Sequence, residues 1–381
     1  MAGQGPLGGL RVVEMAGLAP APFAATMLAD LGAEVIRVDR AKPGFDVLGI
    51  PGDPLTRSRR SIGVDVKTEA GIELVRTLVD RADVFIEGFR PGVAERLGLG
   101  PRECLARNPR LVYGRITGWG QDGPLAPRAG HDLNYIGIAG ALDPIGRSGQ
   151  SPVPPLNLVG DFGGGGLFLA MGILAALYER TGSGRGQVVD ASMVDGAALL
   201  TTQLHGMYAK GLWPGGRGEN MLDGGAPFYD TYEASDGKFV AVGAIEERFW
   251  ADLLKVLGLD PLSLPARHDP ANWPRLRAIL AETIKTRTRD DWAALAEGTD
   301  ACLTPVLALA EAPDHPHNLA RGTFVEVGGI RQPAPGPKFD RTPAAAPTAP
   351  SDTGSDTDEV LAELGLGPAD IEKLRAAGTI A

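Results

Sequence analysis

Apolar residues occur in short runs through the first third of the chain, and segments with helical spacing separate these runs. Phe23, Met27 and Leu31 recur every four residues, so they would share one face of a helix. Predicted helices span residues 20–31, 70–81 and 102–108, and predicted strands span residues 10–15, 34–38, 61–66, 84–89 and 111–117. This alternation predicts an α/β domain with a mostly parallel, nucleotide-binding-like sheet, whose ligands bind beyond the carboxyl ends of the strands.

The longest apolar stretch, residues 163–178, begins with four glycines and is shorter than a membrane span. We therefore expect a buried, central helix there, followed by a strand over 186–192 and a long helix over 193–210. Residues 213–227 are rich in glycine and indicate a linker or a functional loop. Beyond them, the Asp236-Gly237 pair marks a hairpin turn.

These patterns predict two domains. The large α/β domain would comprise residues 1–200, followed by a linker at 201–227 and a smaller α+β domain at 228–330. We expect the C-terminal segment 331–381 to complete the large domain. Within that segment, residues 342–357 are rich in proline and alanine and predict an extended linker.

Composition and charge narrow the possible functions. The chain has 381 residues, of which 44% are hydrophobic and 22% charged, as in globular proteins. Its 37 basic and 47 acidic residues give a net charge of −10, which disfavours general binding to nucleic acid or an anionic membrane. The start of the chain lacks a secretory signal, and Cys104 and Cys302 form no CxxC pair. We expect a cytoplasmic protein without a zinc site.

Several cofactor motifs are absent from the sequence. The chain contains neither a GxxxxGK[ST] phosphate loop nor an HExxH metal motif. The turn after the first predicted strand, residues 16–22, lacks the glycines of GxGxxG, which disfavours nicotinamide nucleotides. A phosphorylated ligand would therefore need another set of contacts.

Basic residues are concentrated between positions 37 and 67, where seven basic residues against four acidic ones give a local charge of +3. Arg90 and Arg96 lie near the end of the strand predicted at 84–89. Arginine suits phosphate oxygens, so these residues could bind a phosphorylated ligand, although solvated surface arginines are the commoner explanation of such spacing. The basic residues of the span are Arg37, Arg40, Lys42, Arg57, Arg59, Arg60 and Lys67.

Three further residues could carry chemistry. Asp161 lies in the glycine-rich segment 160–166, where bare backbone N–H groups at a helix start would stabilise negative charge. An N-cap aspartate without a ligand explains that segment equally well. His131 stands in a Gly-His-Asp triplet, where a capping role is the commoner one, and Glu246 alone is an ordinary helix-start carboxylate.

Together these segments resemble the class III CoA-transferase superfamily, and within it the α-methylacyl-CoA racemases. Racemases of this superfamily carry the histidine of the Gly-His-Asp triplet, matched here by His131, and transferases usually lack it. The tail after about residue 335 matches least. The matching blocks are residues 10–17, 31–39, 87–92, 117–121, 130–135, 157–165, 184–190 and 300–307.

The resemblance implies a two-base reaction. His131 and Asp161 would stand on opposite faces of a 2-methylacyl-CoA, one removing the α-proton and the other returning one to the enolate. Glu246 would orient His131, and Asn157 would hydrogen-bond Asp161. In the alternative, a CoA transferase, Asp161 would instead take the acyl group as a mixed anhydride. A non-catalytic CoA-binding protein would need neither residue.

The resemblance also implies a binding site and an assembly. Gly163 and Gly164 would hold the enolate oxygen with their backbone N–H groups. Relatives form interlocked homodimers, so Glu246 would come from the partner subunit. Neither a metal nor a cofactor is expected, because CoA enters as part of the substrate. Met193, Met207 and Met221 would either line an acyl-binding surface or pack in the core. The implied CoA contacts are Arg40, Val64, Lys67, Gly88, Phe89, Arg90, Arg96, Gly130, Asp132 and Tyr135.

Overall fold

The structure, a computed structural model, describes residues 4–42 and 50–381; Asp46 of the basic span and the first three residues lie outside the described residues. One six-stranded sheet comprises β1 (Arg11–Met15), β2 (Glu34–Arg40), β3 (Arg60–Val64), β4 (Val84–Glu87), β5 (Val112–Thr117) and β6 (Val188–Ser192). The strand order is β3-β2-β1-β4-β5-β6, and each neighbouring pair is parallel. The predicted parallel sheet is therefore confirmed.

The sheet is covered on both faces. Its central strands are rich in β-branched and aromatic residues, and Val13, Phe85 and Tyr113 are fully buried, as expected of parallel strands between helical layers. Leu74 and Leu361 pack on one face, and Leu28 packs on the other. The helices that occur between or after these strands are α1 (Pro20–Asp30), α2 (Glu69–Val79), α3 (Val93–Arg96), α4 (Pro101–Arg107), α5 (Asp132–Ile138), α6 (Phe168–Ser183) and α7 (Met193–Leu200).

The long apolar helix differs from the expectation. It begins at Leu158 with a π-helical segment, Leu158–Leu167, and continues as α6, so the glycines lie inside the helix rather than before it. The whole segment, Leu158–Ser183, is 26 residues long and has the length and composition of a membrane span. Core helices of globular domains share these properties. Here Leu169 and Ile173 pack over Gly114 of β5.

The prediction that this helix is buried on all sides is wrong. One face packs on the sheet, but Leu167, Met171 and Tyr178 on the other side are 48%, 55% and 81% exposed. An apolar stripe of this kind has no partner within the described part of the chain. The stripe is therefore a candidate contact surface.

The C-terminal segment closes the outer edge of the sheet at β3. It contains β10 (Phe324–Val327), β11 (Ile330–Pro333), α13 (Thr357–Glu363) and α14 (Pro368–Ala376). The Asp356 carboxylate accepts the Ser61 N–H at 2.7 Å, and the Thr357 hydroxyl accepts the Gly63 N–H at 3.1 Å. The Thr379 carbonyl accepts the Asp65 N–H at 2.8 Å. These bonds satisfy backbone groups that an edge strand would otherwise expose.

A second unit has its own core. An antiparallel sheet of β7 (Tyr229–Glu233), β8 (Phe239–Gly243) and β9 (Leu303–Pro305) forms this core with three of the helices of the unit. Trp250, Leu276 and Trp292 are buried among its apolar residues. Its helices are α8 (Thr202–Ala209), α9 (Glu247–Leu257), α10 (Trp273–Ile284), α11 (Arg289–Ala296) and α12 (Pro316–Arg321).

The two units have boundaries that differ from the predicted ones. The first unit holds Met1–Ala139, Leu156–Leu200 and Leu319–Ala381, and the second holds Gly140–Pro155 and Thr201–Asn318. Residues 140–155 therefore belong to the second unit. The predicted linker 201–227 also lies within it rather than between units, and the predicted long helix 193–210 is broken at position 201.

Specific contacts explain these boundaries. Arg147 Nη1 lies 2.5 Å from Asp230 Oδ1, which ties residues 140–155 to β7. Arg217 donates to the Asp143 carboxylate at 2.8 Å, so part of the expected linker packs on the same segment. Residues 319–330 join the first unit instead, because the β10–β11 hairpin carries Gln332, whose side-chain oxygen accepts from Arg57 at 2.7 Å.

Candidate active site

The predicted site residues of the first unit lie where the parallel strands end. Arg40 ends β2, and Lys67 follows the end of β3. Gly88 begins the turn after β4, and the chain leaving β5 leads to His131. Because all six strands are parallel, these turns share one edge of the sheet. From β1 the chain continues to β2 and β3 on one side of the sheet, and from β4 it continues to β5 and β6 on the other side. Ligands usually bind at the point between two such strands in sheets of this kind.

His131 is the N-cap residue of α5 and is exposed. Its backbone is extended, and its N–H donates to the side chain of Asn134 at 3.1 Å. The helix start thus fixes the backbone of His131 while leaving the imidazole accessible. The predicted position of His131 before a helix is confirmed.

Asp132 has a different environment from the one predicted. The resemblance implies a CoA contact, but its side chain is only 6% exposed. Its Oδ2 accepts the N–H groups of Gly160 and Asp161 at 2.6 and 2.7 Å. The carboxylate therefore binds two backbone donors at the start of the π-helical segment, where negative charge is favoured. Asp132 acts by positioning Asp161, a role that the sequence did not reveal.

Asp161 is half-buried beside Asn157. Burial raises the pKa of its carboxyl, and the negative charge of Asp132 raises it further. A hydrogen bond from Asn157 Nδ2 at 3.2 Å and the charge of His131 both act in the opposite direction. The expected pairing of Asn157 with Asp161 is thus present in the structure. Because Asp132 directly follows His131 and accepts the Asp161 N–H at 2.7 Å, the backbones of His131 and Asp161 lie close to each other.

The glycines after Asp161 serve close packing. A Cβ on Gly164 would stand 2.5 Å from the Ala197 nitrogen of α7, and one on Gly166 would stand 2.6 Å from the Pro20 carbonyl oxygen. A Cβ on Gly160 would meet the Asp132 carboxylate at 2.5 Å. The helical backbone here can therefore approach its neighbours only as glycine.

The expectation of free amides at Gly163 and Gly164 needs correction. Both residues lie in the middle of the π-helical segment and not at its start. Of the N–H groups in its first turn, those of Gly160 and Asp161 donate to the Asp132 carboxylate. The assignment of the enolate oxygen to Gly163 and Gly164 therefore loses its geometric basis.

Tyr135 stiffens the Gly-His-Asp turn. Its ring is buried edge-on against Trp119, with centroids 4.8 Å apart, and its hydroxyl donates to the Gly130 carbonyl. Burial raises the pKa of Tyr135 to about 12, and the charge of Asp161 contributes while that of Arg90 opposes. The turn at 130–135 thus lies within electrostatic reach of both Asp161 and the loop after β4.

The basic span separates into two groups. Arg57 binds Asp30 at 2.5 Å, Arg59 binds the fully buried Glu14 at 2.9 Å, and Arg60 binds Glu34. These arginines, together with Arg37 on Asp39, hold the fold together. These four residues are therefore not available to a phosphorylated ligand.

The second group is available to a ligand. Its five side chains are exposed, and none of them forms an ion pair with another residue in the described ranges. Val64, by contrast, is buried, so only its backbone or the residues after it can reach a nucleotide. The five available cations are Arg40, Lys42, Lys67, Arg90 and Arg96.

Glu246 lies in the second unit as the exposed N-cap residue of α9. Arg267 supports this helix start, because its Nη1 donates to the Ala244 carbonyl at 3.0 Å. The same guanidinium lies 5.0 Å from the Phe228 ring and 5.4 Å from the Trp250 ring. Met207 and Met221 are also in this unit and half-buried, whereas Met193 is a core residue at 7% exposure.

Residues 7–357 match the sequence profile of CoA-transferase family III. The chain belongs to this family. The match covers the parallel sheet, the Gly-His-Asp turn, the π-helical segment and the second unit. It therefore includes every candidate residue described above.

Three relatives show how close the similarity is. The α-methylacyl-CoA racemase of Mus musculus is 49% identical over 97% of this chain and 96% of its own length. That of Homo sapiens is 46% identical over the same shares, 97% and 96%. Among solved structures, a CAIB/BAIF family protein from Brucella suis has a TM-score of 0.81 at 30% identity, covering 95% of this chain and 100% of that one.

Proposed function

We propose that the protein is an α-methylacyl-CoA racemase that interconverts (2R)- and (2S)-2-methylacyl-CoA thioesters. The observation that carries the proposal is the 2.7 Å hydrogen bond from the Asp161 N–H to the carboxylate of Asp132, the residue next to His131, which joins the two segments that carry the candidate bases. The names of the two closely similar mammalian proteins support the same substrate class. An inversion at carbon needs two proton-handling groups, and we assign these roles to His131 and Asp161.

The reaction is a 1,1-proton transfer. The base on one face of the thioester removes the proton from the α-carbon, and the electron pair of that C–H bond forms an enolate. The acid on the other face then donates a proton to the same carbon, which inverts it. In the reverse direction the two groups exchange roles. A well-placed base of this kind is worth about 10²–10⁴ in rate.

The environment of Asp161 suits this reaction. A thioester α-proton is a weak acid, so a carboxylate with an ordinary low pKa is a poor base for it. Burial raises the pKa of Asp161, while the Asn157 hydrogen bond keeps the carboxylate form accessible. Glu246 orients His131 in this proposal, as the resemblance to the racemases implies.

The nucleotide part of CoA binds at the neighbouring turns in this proposal. Lys67, Arg90 and Arg96 are the main phosphate partners, and Arg40 lies near the adenine. Gly88 and Phe89 contact the nucleotide. Exposed arginine and lysine side chains without ion-pair partners suit phosphate groups, because little internal pairing has to be broken on binding.

One incubation separates this proposal from its rivals. A single epimer of a 2-methylacyl-CoA is incubated with the protein in deuterated water. A racemase gives both epimers, with deuterium at C2, and needs no acceptor acid. A CoA transferase gives no inversion, requires an acceptor acid, and forms an acyl adduct on Asp161. Binding of CoA without either reaction would contradict both enzymatic functions.

We also propose that the protein is a homodimer. The exposed stripe of Leu167, Met171 and Tyr178 is a large apolar surface for a protein in water, and a second copy would cover it. Sedimentation velocity should give a dimer for the wild type, and Met171→Lys should shift it toward monomer because it places a charge in the contact. A monomeric wild type at micromolar concentration would contradict this proposal.

A further inference from the structure

The loop after β4 presents the two arginines proposed to bind the phosphates of CoA, and two carboxylates support it, the buried Glu87 and the exposed Glu95. Arg90 and Arg96 are exposed, whereas Glu87 is only 1% exposed. Glu87 Oε2 accepts the Phe89 N–H at 2.7 Å, so the end of β4 holds the turn that carries Arg90. Glu95 lies next to Arg96 in α3. The conformation of the loop thus depends on where these two carboxylates are fixed.

One buried arginine contacts both carboxylates. Arg115 Nε lies 3.3 Å from Glu87 Oε1, and Arg115 Nη2 donates to Glu95 Oε1 at 2.9 Å. Its side chain is 9% exposed. A single guanidinium therefore joins Glu87 at the end of β4 to Glu95 in α3. These two residues lie at opposite ends of the loop at 88–96, so Arg115 connects both ends of that loop.

The sheet fixes the position of Arg115. In the strand register, Glu87 of β4 pairs with Arg115 of β5, which pairs with Asp190 of β6. Directly opposite residues in neighbouring strands project to the same face, so the cation lies between two carboxylates. Its guanidinium also lies 5.9 Å from the Tyr113 ring.

The electrostatics of the cluster depend on this cation. Burial raises the pKa of Glu87 to about 7, and the Phe89 N–H and the Arg115 charge oppose that shift. Removal of Arg115 would leave Glu87 buried without its cationic partner. The carboxyl would then take up a proton and bind the Phe89 N–H more weakly, because a charged acceptor forms the stronger hydrogen bond.

We propose that Arg115 is a positioning residue that sets the affinity of the loop at 88–96 for the nucleotide phosphates of the substrate. The proposal rests on the proposed function, because it takes this loop as a phosphate-binding element. Arg115 acts through Glu87 and Glu95. It leaves the proton transfer at His131 and Asp161 unchanged.

The test compares two buried arginines of the same protein. Arg115→Met removes the guanidinium but keeps an unbranched chain, and Arg180→Met is the matched control. Arg180 has an 8% exposed side chain and an ion pair of 2.8 Å with Asp83, which precedes β4 at the opposite edge of the sheet. Both variants lose a buried ion pair, so both should unfold at lower temperature.

Binding and kinetics distinguish the two variants. We expect Arg115→Met to raise the calorimetric Kd for CoA and the KM for acyl-CoA about tenfold, with kcat within about twofold of the wild type. Arg180→Met should leave all three values unchanged. The KM for an acyl-pantetheine thioester, which lacks the nucleotide, should not respond to Arg115→Met. A merely structural defect would raise the KM for both substrates.

Milder variants keep the test valid if Arg115→Met does not fold. Arg115→Lys retains a charge but not the two-pronged geometry, and Glu95→Gln removes only the link to α3. Each should raise the KM for acyl-CoA by about threefold, again without an effect on acyl-pantetheine. Unchanged KM and Kd values in these variants would overturn the role of Arg115. A wild type that does not bind CoA would overturn the proposed function itself, and the Arg115 assignment with it.

Discussion

The proposed reaction end around Asp161 and the proposed nucleotide end around Arg90 differ in how their charged side chains are placed. Around Asp161 the carboxylates are withdrawn from water, and burial, Asn157 and Asp132 together change its proton affinity. At the proposed nucleotide end, Arg90 and Arg96 remain in water, and the buried Glu87 and Arg115 support the loop that carries them. Groups that move protons need shifted pKa values, whereas groups that attract phosphate need a fixed position and a free charge.

The largest effect should come from the two proton-transfer groups. His131→Ala and Asp161→Ala should each reduce the rate of inversion by at least about 10²-fold, because each removes one of the two bases. His317→Ala, at an exposed histidine of α12, is the matched control and should retain full activity. The assay follows circular dichroism of a chiral 2-methylacyl-CoA. Substantial inversion by either alanine variant would mean that one base suffices.

The next largest effect on activity should arise at Asp132, because its carboxylate fixes the backbone at Asp161. Asp132→Ala leaves the N–H groups of Gly160 and Asp161 without an acceptor, so Asp161 shifts and stability falls. We expect kcat to decrease by about 10–10²-fold and the free energy of unfolding to decrease by about 2–4 kcal/mol.

Asp132→Asn is the conservative counterpart. It keeps an oxygen acceptor, so it should recover most of the stability and part of kcat, as measured by urea unfolding and steady-state kinetics. A wild-type kcat in Asp132→Ala would show that Asp132 does not position Asp161.

A smaller effect is expected at the nucleotide end. Lys67→Ala, Arg90→Ala and Arg96→Ala should each raise the KM for acyl-CoA by about tenfold and leave kcat near the wild-type value. The difference in KM between each variant and the wild type should diminish at high ionic strength, because exposed charges are screened. Arg185→Ala is the control, since Arg185 is exposed and precedes β6 at the opposite edge of the sheet. Loss of kcat with an unchanged KM would place these residues in the reaction instead.

The smallest effect concerns pH. The Asn157 hydrogen bond stabilises the charged form of Asp161 and so lowers its pKa. Asn157→Leu should therefore raise this pKa further, and the acid limb of the kcat/KM profile should move to higher pH by less than about one unit. Asn318→Leu, in α12 and outside the candidate site, should leave the limb in place. A shift to lower pH in Asn157→Leu would contradict the assigned hydrogen bond.

The sequence predicted the parts of the fold that depend on local pattern. All five strands predicted in the first third are present, because apolar runs in a parallel sheet are buried on both faces and stand out from their polar flanks. The matched blocks of the family also identified His131, Asp161 and Asn157 as neighbours. The structure agrees for Asn157 and Asp161, whose side chains are hydrogen-bonded.

Features that depend on distant contacts were not predictable. The glycines of 163–166 suggested a ligand, but they are required by the close approach of α7 and α1, which no local pattern shows. Arg57, Arg59 and Arg60 form a basic cluster in the sequence. Their acidic partners are distant in the sequence, so only the fold reveals these ion pairs. For the same reason, no local pattern shows that the Asp132 carboxylate is buried and binds the N–H groups of Gly160 and Asp161.

The most direct test of the account is the exchange of the α-proton by the two single-base variants. Each epimer of a 2-methylacyl-CoA is incubated separately with His131→Ala and Asp161→Ala in deuterated water, and the deuterium at C2 is followed by NMR. If two bases stand on opposite faces, each variant exchanges one epimer without inverting it, and the two variants choose opposite epimers. Equal exchange of both epimers by one variant would contradict this arrangement, and so would the same preference in both variants.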